Sequence, residues 1–325
     1  MQFPIRESMF RRYVPNQSEE SINGEFRAKS IIKPASFDQS NRSNIQTNGS
    51  NNKPNTLSEF NLESWLRTQS VRTSLIHEVC KNHSDLIYIL YNDKFMYDDK
   101  HNLLYCRQAK VGTSTWLSLF LDLSDSLQEE KDDISFTSKR LHAKVPNMFP
   151  LPPNLDVSDL SEISVSFSMV RHPLERLVSA YLDKMVDKTD LGFLNLRDRI
   201  IEKYGNVNFE SFVRHIVDSK SFLCRSISSC HYDVHWLPQV ARCFYCQVPY
   251  KYILKLETFK DDLQGISLVS NIKLPLIRKH VSSGNTRELT KRYMRSLPTN
   301  LTEEILRVYR EDFEMFDYDP NLYLD

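Results

Sequence analysis

Apolar residues recur along the chain at two different periods, and the change from one to the other marks out the elements. Between Glu63 and Lys81, Leu66, Leu75, Ile76 and Val79 are spaced for one face of a helix. Leu103–Arg107 is a short apolar run of the kind that forms a buried strand. Ser114–Leu127 follows as a helix with Trp116, Leu117, Phe120 and Leu121 on one side. Ile163–Val170 alternates apolar and small polar residues, the period of a strand. Leu174, Leu177, Val178, Tyr181, Leu182 and Met185 then stripe a helix over Leu174–Asp187. Phe209–Asp218 repeats that spacing, Tyr252–Leu256 reads as another strand, and Asn300–Phe313 as a helix with Ile305, Val308 and Tyr309 inward. Strands that alternate with helices predict an α/β fold, a mostly parallel central sheet flanked by helices.

The pattern stops short of the N-terminus. Residues 1–60 are rich in Asn, Ser, Gln, Pro and charge, with no periodicity, and read as a disordered tail or stem. Residues 61–325 form the folded domain. Lys and Arg together equal Asp and Glu at 42 each. With no net charge there is no global field to draw nucleic acid, and an anionic ligand must be met by local basic residues. No run approaches the roughly 20 apolar residues that span a bilayer. Met1–Tyr13 carries Arg6, Arg11 and Arg12 without an apolar core, so it is not a secretory signal peptide.

Two strand–loop–helix units carry chemistry. Ligands of parallel sheets bind beyond the carboxyl ends of strands, against helix N-termini. In the first unit Lys110, Val111, Gly112, Thr113, Ser114, Thr115 and Trp116 join a strand to a helix. Gly112 lets backbone approach an anion, the hydroxyls and free helix amides can hold phosphate oxygens, and Lys110 adds charge. The G-x-x-x-x-G-K-[ST] order of a nucleotide-triphosphate loop is absent, and so is a kinase reading. In the second unit Arg171 ends a strand, Pro173 suits a first helical turn, and Ser179 follows two turns on. Arg171 can fork a phosphate to which Ser179 adds a hydroxyl. An ordinary capped helix, with Glu175 and Arg176 in solvent, is the competing reading.

Together these segments resemble the Golgi carbohydrate sulfotransferases, in the branch of chondroitin 4-O, dermatan 4-O and HNK-1 (3-sulfoglucuronyl) sulfotransferases. Ala109–Trp116 resembles that branch's 5′-phosphosulfate loop, and Arg171–Tyr181 resembles its 3′-phosphate motif. His235-Trp236-Leu237-Pro238-Gln239, Cys243–Cys246 and Tyr252–Thr258 are similar to its later motifs, as is Tyr309–Tyr318, where Asp317 replaces a glycine. The likeness runs over about residues 75–320.

The resemblance implies a P-loop-like fold and a donor, 3′-phosphoadenosine 5′-phosphosulfate (PAPS), with no metal. Lys110 through Trp116 would take its 5′ end, and Arg171 with Ser179 its 3′-phosphate. The acceptor would be a glycosaminoglycan or other glycan, with the 4-hydroxyl of N-acetylgalactosamine in chondroitin foremost. A catalytically inactive glycan-binding relative is the alternative. A base is needed for the acceptor hydroxyl. His142, between the two donor motifs, is the first candidate and His235 the second, while His172 reads as a helix-cap neighbour. Basic residues near His142, in Arg278–His280 and at Lys291–Arg292 could meet an acidic glycan. A Golgi-lumen, membrane-associated glycoprotein is implied, with sequons at Asn16, Asn41, Asn48, Asn82 and Asn300. The implied membrane anchor is not seen in this chain.

Six cysteines are present. Cys224, Cys230, Cys243 and Cys246 fall close together, which suits either disulfides or a zinc site. A lumenal enzyme favours disulfides, giving two bridges within that group with the connectivity open. Cys106, in a buried strand, is expected to pack as a small apolar residue.

Overall fold

The computed structural model describes residues 60–83, 86, 92–187, 191–219, 233–274 and 286–324. The predicted tail, Cys224, Cys230 and Arg278–His280 lie outside them. Helix α1 (Leu62–Asn82) leads into β1 (Phe95–Asp98) and β2 (Leu103–Cys106). Then come α2 (Thr113–Leu123), α3 (Gln128–Ser135), α4 (Ser138–Met148), β3 (Val165–Val170) and α5 (Pro173–Tyr181). After a π-helical turn at Leu182–Val186 follow α6 (Leu194–Tyr204), α7 (Phe209–Asp218), β4 (Tyr252–Lys255) and α8 (Phe259–Ser270). The chain closes with α9 (Thr286–Arg295), α10 (Thr299–Val308) and α11 (Arg310–Met315).

The sheet has the order β1-β2-β3-β4, with β2, β3 and β4 parallel and β1 antiparallel at the edge. The alternation in each strand sorts its side chains. Leu103, Tyr105, Phe167, Met169 and Leu254 face a core shared with Trp116, Phe120, Val145 and Leu263 of α2, α4 and α8. Tyr105 and Trp116 stand against Phe167 at 4.9 and 4.6 Å between ring centres. Such pairs contribute about 1 kcal/mol each beyond simple burial. Leu104, Cys106, Val170 and Ile253 face the opposite side. There Val157, Ile163 and the irregular chain from Val240 to Tyr250 cover them. A third core joins α5, α7, α9 and α10.

Three expectations change. The helix predicted over Leu174–Asp187 is α-helical only to Tyr181 and then widens into the π turn. The C-terminal helix breaks at Tyr309, whose hydroxyl donates to the Trp236 carbonyl at 2.7 Å. The third concerns the cysteines. Cys106 is not a free apolar residue but is bonded to Cys243, and Cys246 is bonded to Cys80. The bridges therefore do not close within the Cys224–Cys246 group. They tie β2 and α1 to the segment beneath the sheet, across separations of 137 and 166 residues. Spacing along a chain cannot reveal a partner that only the fold brings near.

Candidate active site

The carboxyl ends of β2, β3 and β4 deliver three loops to one edge. The β2 loop turns sharply. Lys110 and Gly112 both take positive φ, 68° and 90°. Gly112 is the N-cap of α2, and no side chain caps that helix. A Cβ at Gly112 would lie 3.2 Å from the Leu256 Cδ1, so backbone conformation and space both favour glycine. The Thr113 hydroxyl donates to the Gln108 carbonyl, closing the loop on itself. Val111 and Trp116 are wholly buried, and the Trp116 Nε1 donates to the Met169 sulfur at 2.9 Å. Their side chains anchor the loop to the sheet, which leaves its backbone, Ser114, Thr115 and Lys110 to meet a ligand.

Lys110 points back over the site and pairs with Asp183 at 2.9 Å. Burial pushes the Lys110 ammonium below the usual lysine value, Asp183 opposes that, and Lys184 and Arg171 add to it. Burial would raise the Asp183 carboxyl, but hydrogen bonding and charge from Lys110 and Lys184 win and lower it. Asp183 therefore meets Lys110 as a carboxylate.

The β3 loop begins with Arg171, which is buried. Its guanidinium donates twice to Glu175 Oε2, at 3.1 and 3.2 Å, and reaches the Lys110 carbonyl at 3.4 Å. The two predicted donor motifs therefore touch. Ser179 is half-buried further along α5 and is not hydrogen-bonded to Arg171. His172 caps α5. Its Nδ1 accepts from the Leu174 amide at 3.3 Å and its Nε2 donates to the Asp319 carbonyl at 3.0 Å. Both ring nitrogens are spent, which excludes it as a base. The β4 loop adds Glu257, whose carboxylate accepts from the His172 amide at 2.7 Å.

Arg176 overturns the solvated reading. It is 1% exposed, and it donates to the carbonyls of Ala109, Leu237 and Val234 at 2.9, 2.7 and 2.9 Å. One guanidinium thus locks the Lys110 loop to the His235 loop. Asp312 grips the same loop from below, accepting from the amides of Gln239 and Val240. Neither role was apparent in the sequence.

Both candidate bases face this site. The His142 Nε2 lies 2.8 Å from the Ser114 hydroxyl. His142 keeps an open edge yet is pushed down to about 4, first by the protein around it and then by Arg107, His235, Lys184 and Lys110. His235 turns its Nδ1 to Asp233 and packs against Phe193 and Trp236. Sequence reasoning also passed over Arg107 and Arg242. Both are largely buried, and Arg242 is pushed down to about 10 by burial. Arg107 could have been noticed as a cation one residue past a strand end.

Lys291 and Arg292 lie on α9 and make none of these contacts. Among the described residues no group of three or more His, Cys, Asp or Glu could hold a metal ion. Cys243 and Cys246 are oxidised and so are not thiolate ligands.

The arrangement fits an anionic donor. An uncapped helix N-terminus, a glycine that admits close approach and a half-buried lysine converge on the end of a parallel sheet. Arg171 would share its guanidinium between such a donor and Glu175. A neutral imidazole stands beside the loop. Fold and site together suit an α/β enzyme that handles an anionic donor. The chain belongs to the sulfotransferase family, whose model, described as "Sulfotransferase family", matches residues 93–319. It is a sulfotransferase, and the family implies PAPS as sulfonate donor. The chain is 26% identical over 248 residues to carbohydrate sulfotransferase 11 of Mus musculus, covering 70% of this chain and 67% of that protein. It is 27% identical to carbohydrate sulfotransferase 9 of Homo sapiens, covering 77% and 60%, and 26% identical to carbohydrate sulfotransferase 10 of Xenopus laevis, covering 78% and 77%. No solved structure matches the chain.

Proposed function

We propose that this protein transfers sulfonate from PAPS to a glycan hydroxyl, with the 4-hydroxyl of N-acetylgalactosamine in chondroitin as the acceptor. The observation that carries the reaction is the convergence of Lys110, the uncapped start of α2, and Arg171 at one sheet edge. The three relatives named above are carbohydrate sulfotransferases, which supports a sugar acceptor.

Lys110 would hold the phosphosulfate of PAPS and stabilise negative charge on the oxygen that leaves sulfur. The α2 amides, Ser114 and Thr115 hold the 5′ end, while Arg171 and Ser179 hold the 3′-phosphate. PAPS, when bound, supplies the sulfonate. His142 takes the proton from the acceptor hydroxyl as its oxygen bonds to sulfur. Its imidazole is neutral at physiological pH, so a ring nitrogen keeps a lone pair for the proton, with a basicity below that of an ordinary histidine. His235 is the second reading for the base. Asp233 on its Nδ1 favours it, because an orienting carboxylate leaves Nε2 free to accept a proton.

A place in the Golgi lumen is supported by the two disulfides, which persist in oxidising compartments. No helix among the described residues is long and apolar enough to cross a membrane.

The test is transfer of radiolabelled sulfate from PAPS to desulfated chondroitin, beside Lys110→Ala and Arg171→Ala. Label that disappears in both variants supports the donor site and the acceptor together. PAPS binding without transfer to chondroitin overturns the acceptor. Loss of both binding and transfer in the wild type leaves the inactive glycan-binding relative.

A further inference from the structure

The residue that holds Lys110 is not part of either donor motif. Asp183 sits on the π-helical turn at Leu182–Val186, where the Asp187 amide bonds back five residues to the Leu182 carbonyl at 3.0 Å. A π turn inserts one residue into a helix and rotates the side chains beyond it. Such insertions recur at functional sites. The turn is braced. Arg197 of α6, only 5% exposed, donates to the Lys184 carbonyl at 2.9 Å and to the Asp187 carbonyl. The carboxylate is therefore offered from a fixed element rather than a loose surface chain.

We propose that Asp183 is the resting counter-ion of Lys110, a positioning residue that holds the ammonium in the loop and yields it when the donor's anionic oxygens arrive. The proposal rests on the assignment of Lys110 to the donor. Three observations support an exchange over a permanent ion pair. Lys110 is 20% exposed at its side chain, so leaving it unpaired there would be costly. Its backbone is held at φ 68° by the turn, so the loop keeps its shape while the side chain changes partner. The Lys184 Nζ stands 3.3 Å from the same Asp183 oxygen, so a cation remains beside the carboxylate when Lys110 leaves. No covalent bond or proton moves in this step.

A resting counter-ion competes with the donor. Removing it must tighten donor binding, and only while Lys110 is there to be released. Calorimetry of the full chain with adenosine 3′,5′-bisphosphate, the desulfonated product, reads this out. Asp183→Asn is expected to bind it roughly twofold to fivefold more tightly than the wild type, with Asp183→Glu restoring the original affinity. In a Lys110→Met background the same substitution should change nothing. Unchanged or weaker binding by Asp183→Asn overturns the proposal. So does a gain that persists without Lys110, which would mean that any lost negative charge suffices. If the wild type fails to bind the nucleotide at all, the donor site itself is wrong and the proposal falls with it.

Discussion

The Nε2 of His142 and the Oγ of Ser114 are 2.8 Å apart, which joins a side chain of α4 to the first turn of α2. The base candidate is thereby built into the donor loop. Replacing His142 with Ala should lower kcat by about 10²–10⁴ while the KM for PAPS changes little. Held down to about 4, His142 stays neutral in the free enzyme to roughly pH 5. The acid limb of kcat/KM should accordingly lie below pH 5. A limb centred near 6.5, the ordinary imidazole value, or a larger loss in His235→Ala, would move the role to another histidine.

His172 makes a different pH prediction. Burial drives its imidazole down to about 4, and its neutral tautomer serves both the Leu174 amide and the Asp319 carbonyl. Protonation would set a second N–H against the Leu174 amide. The unfolded chain takes up that proton near 6.5, the folded one only near 4. Stability from His172 is thus complete above pH 6.5 and drains away as pH falls towards 4, by on the order of 3 kcal/mol. Denaturant unfolding of the wild type and of His172→Asn, which keeps a capping side chain, should show the variant losing less between pH 7 and 4. Equal losses would mean the ring titrates normally.

How far the sequence could be read follows the physics of each element. Helix α7 was placed to the residue because its apolar face is continuous, and the structure shows Asn208 capping it. Strand β1 was missed: four residues, Phe-Met-Tyr-Asp, show no alternation, and only pairing with β2 makes them a strand. The strand–loop–helix turn over Lys110–Trp116 was legible because Gly, Lys and hydroxyls concentrate in it. Arg176 was not, since an arginine beside a glutamate on a helix normally faces water, and three carbonyls from distant loops keep this one buried. Asp183 was hidden for a related reason. A regular helix would not announce a π turn there, and the contact with Lys110 spans 73 residues.

The bridge between Cys106 and Cys243 fastens the last residue of β2, and so the start of the donor loop, to the chain beneath the sheet. Closing a separation of 137 residues restricts the unfolded chain by an amount worth about 4–5 kcal/mol. The double variant Cys106→Ser/Cys243→Ser, which leaves no unpaired thiol, should unfold at a clearly lower temperature than the wild type. It should also bind adenosine 3′,5′-bisphosphate less tightly. An unchanged Tm would show that packing around Leu104 and Phe244 alone holds this face.

Arg176→Lys separates charge from geometry. The guanidinium meets carbonyls on two loops at once, Ala109 on one side and Val234 and Leu237 on the other. An ammonium keeps the charge but cannot fork to all three at that spacing. At least one buried carbonyl would then lose its partner, which costs about 1–3 kcal/mol. The damage should not stop at stability. Ala109 adjoins Lys110, and Val234 and Leu237 flank His235–Trp236, so loosening the clamp lets the donor loop and a base candidate drift apart. Urea unfolding should show the lost stability, and steady-state kinetics below the melting range should show a raised KM for PAPS together with a reduced kcat. A variant destabilised to that degree but kinetically normal would confine Arg176 to the architecture and free the two loops from any mechanical link.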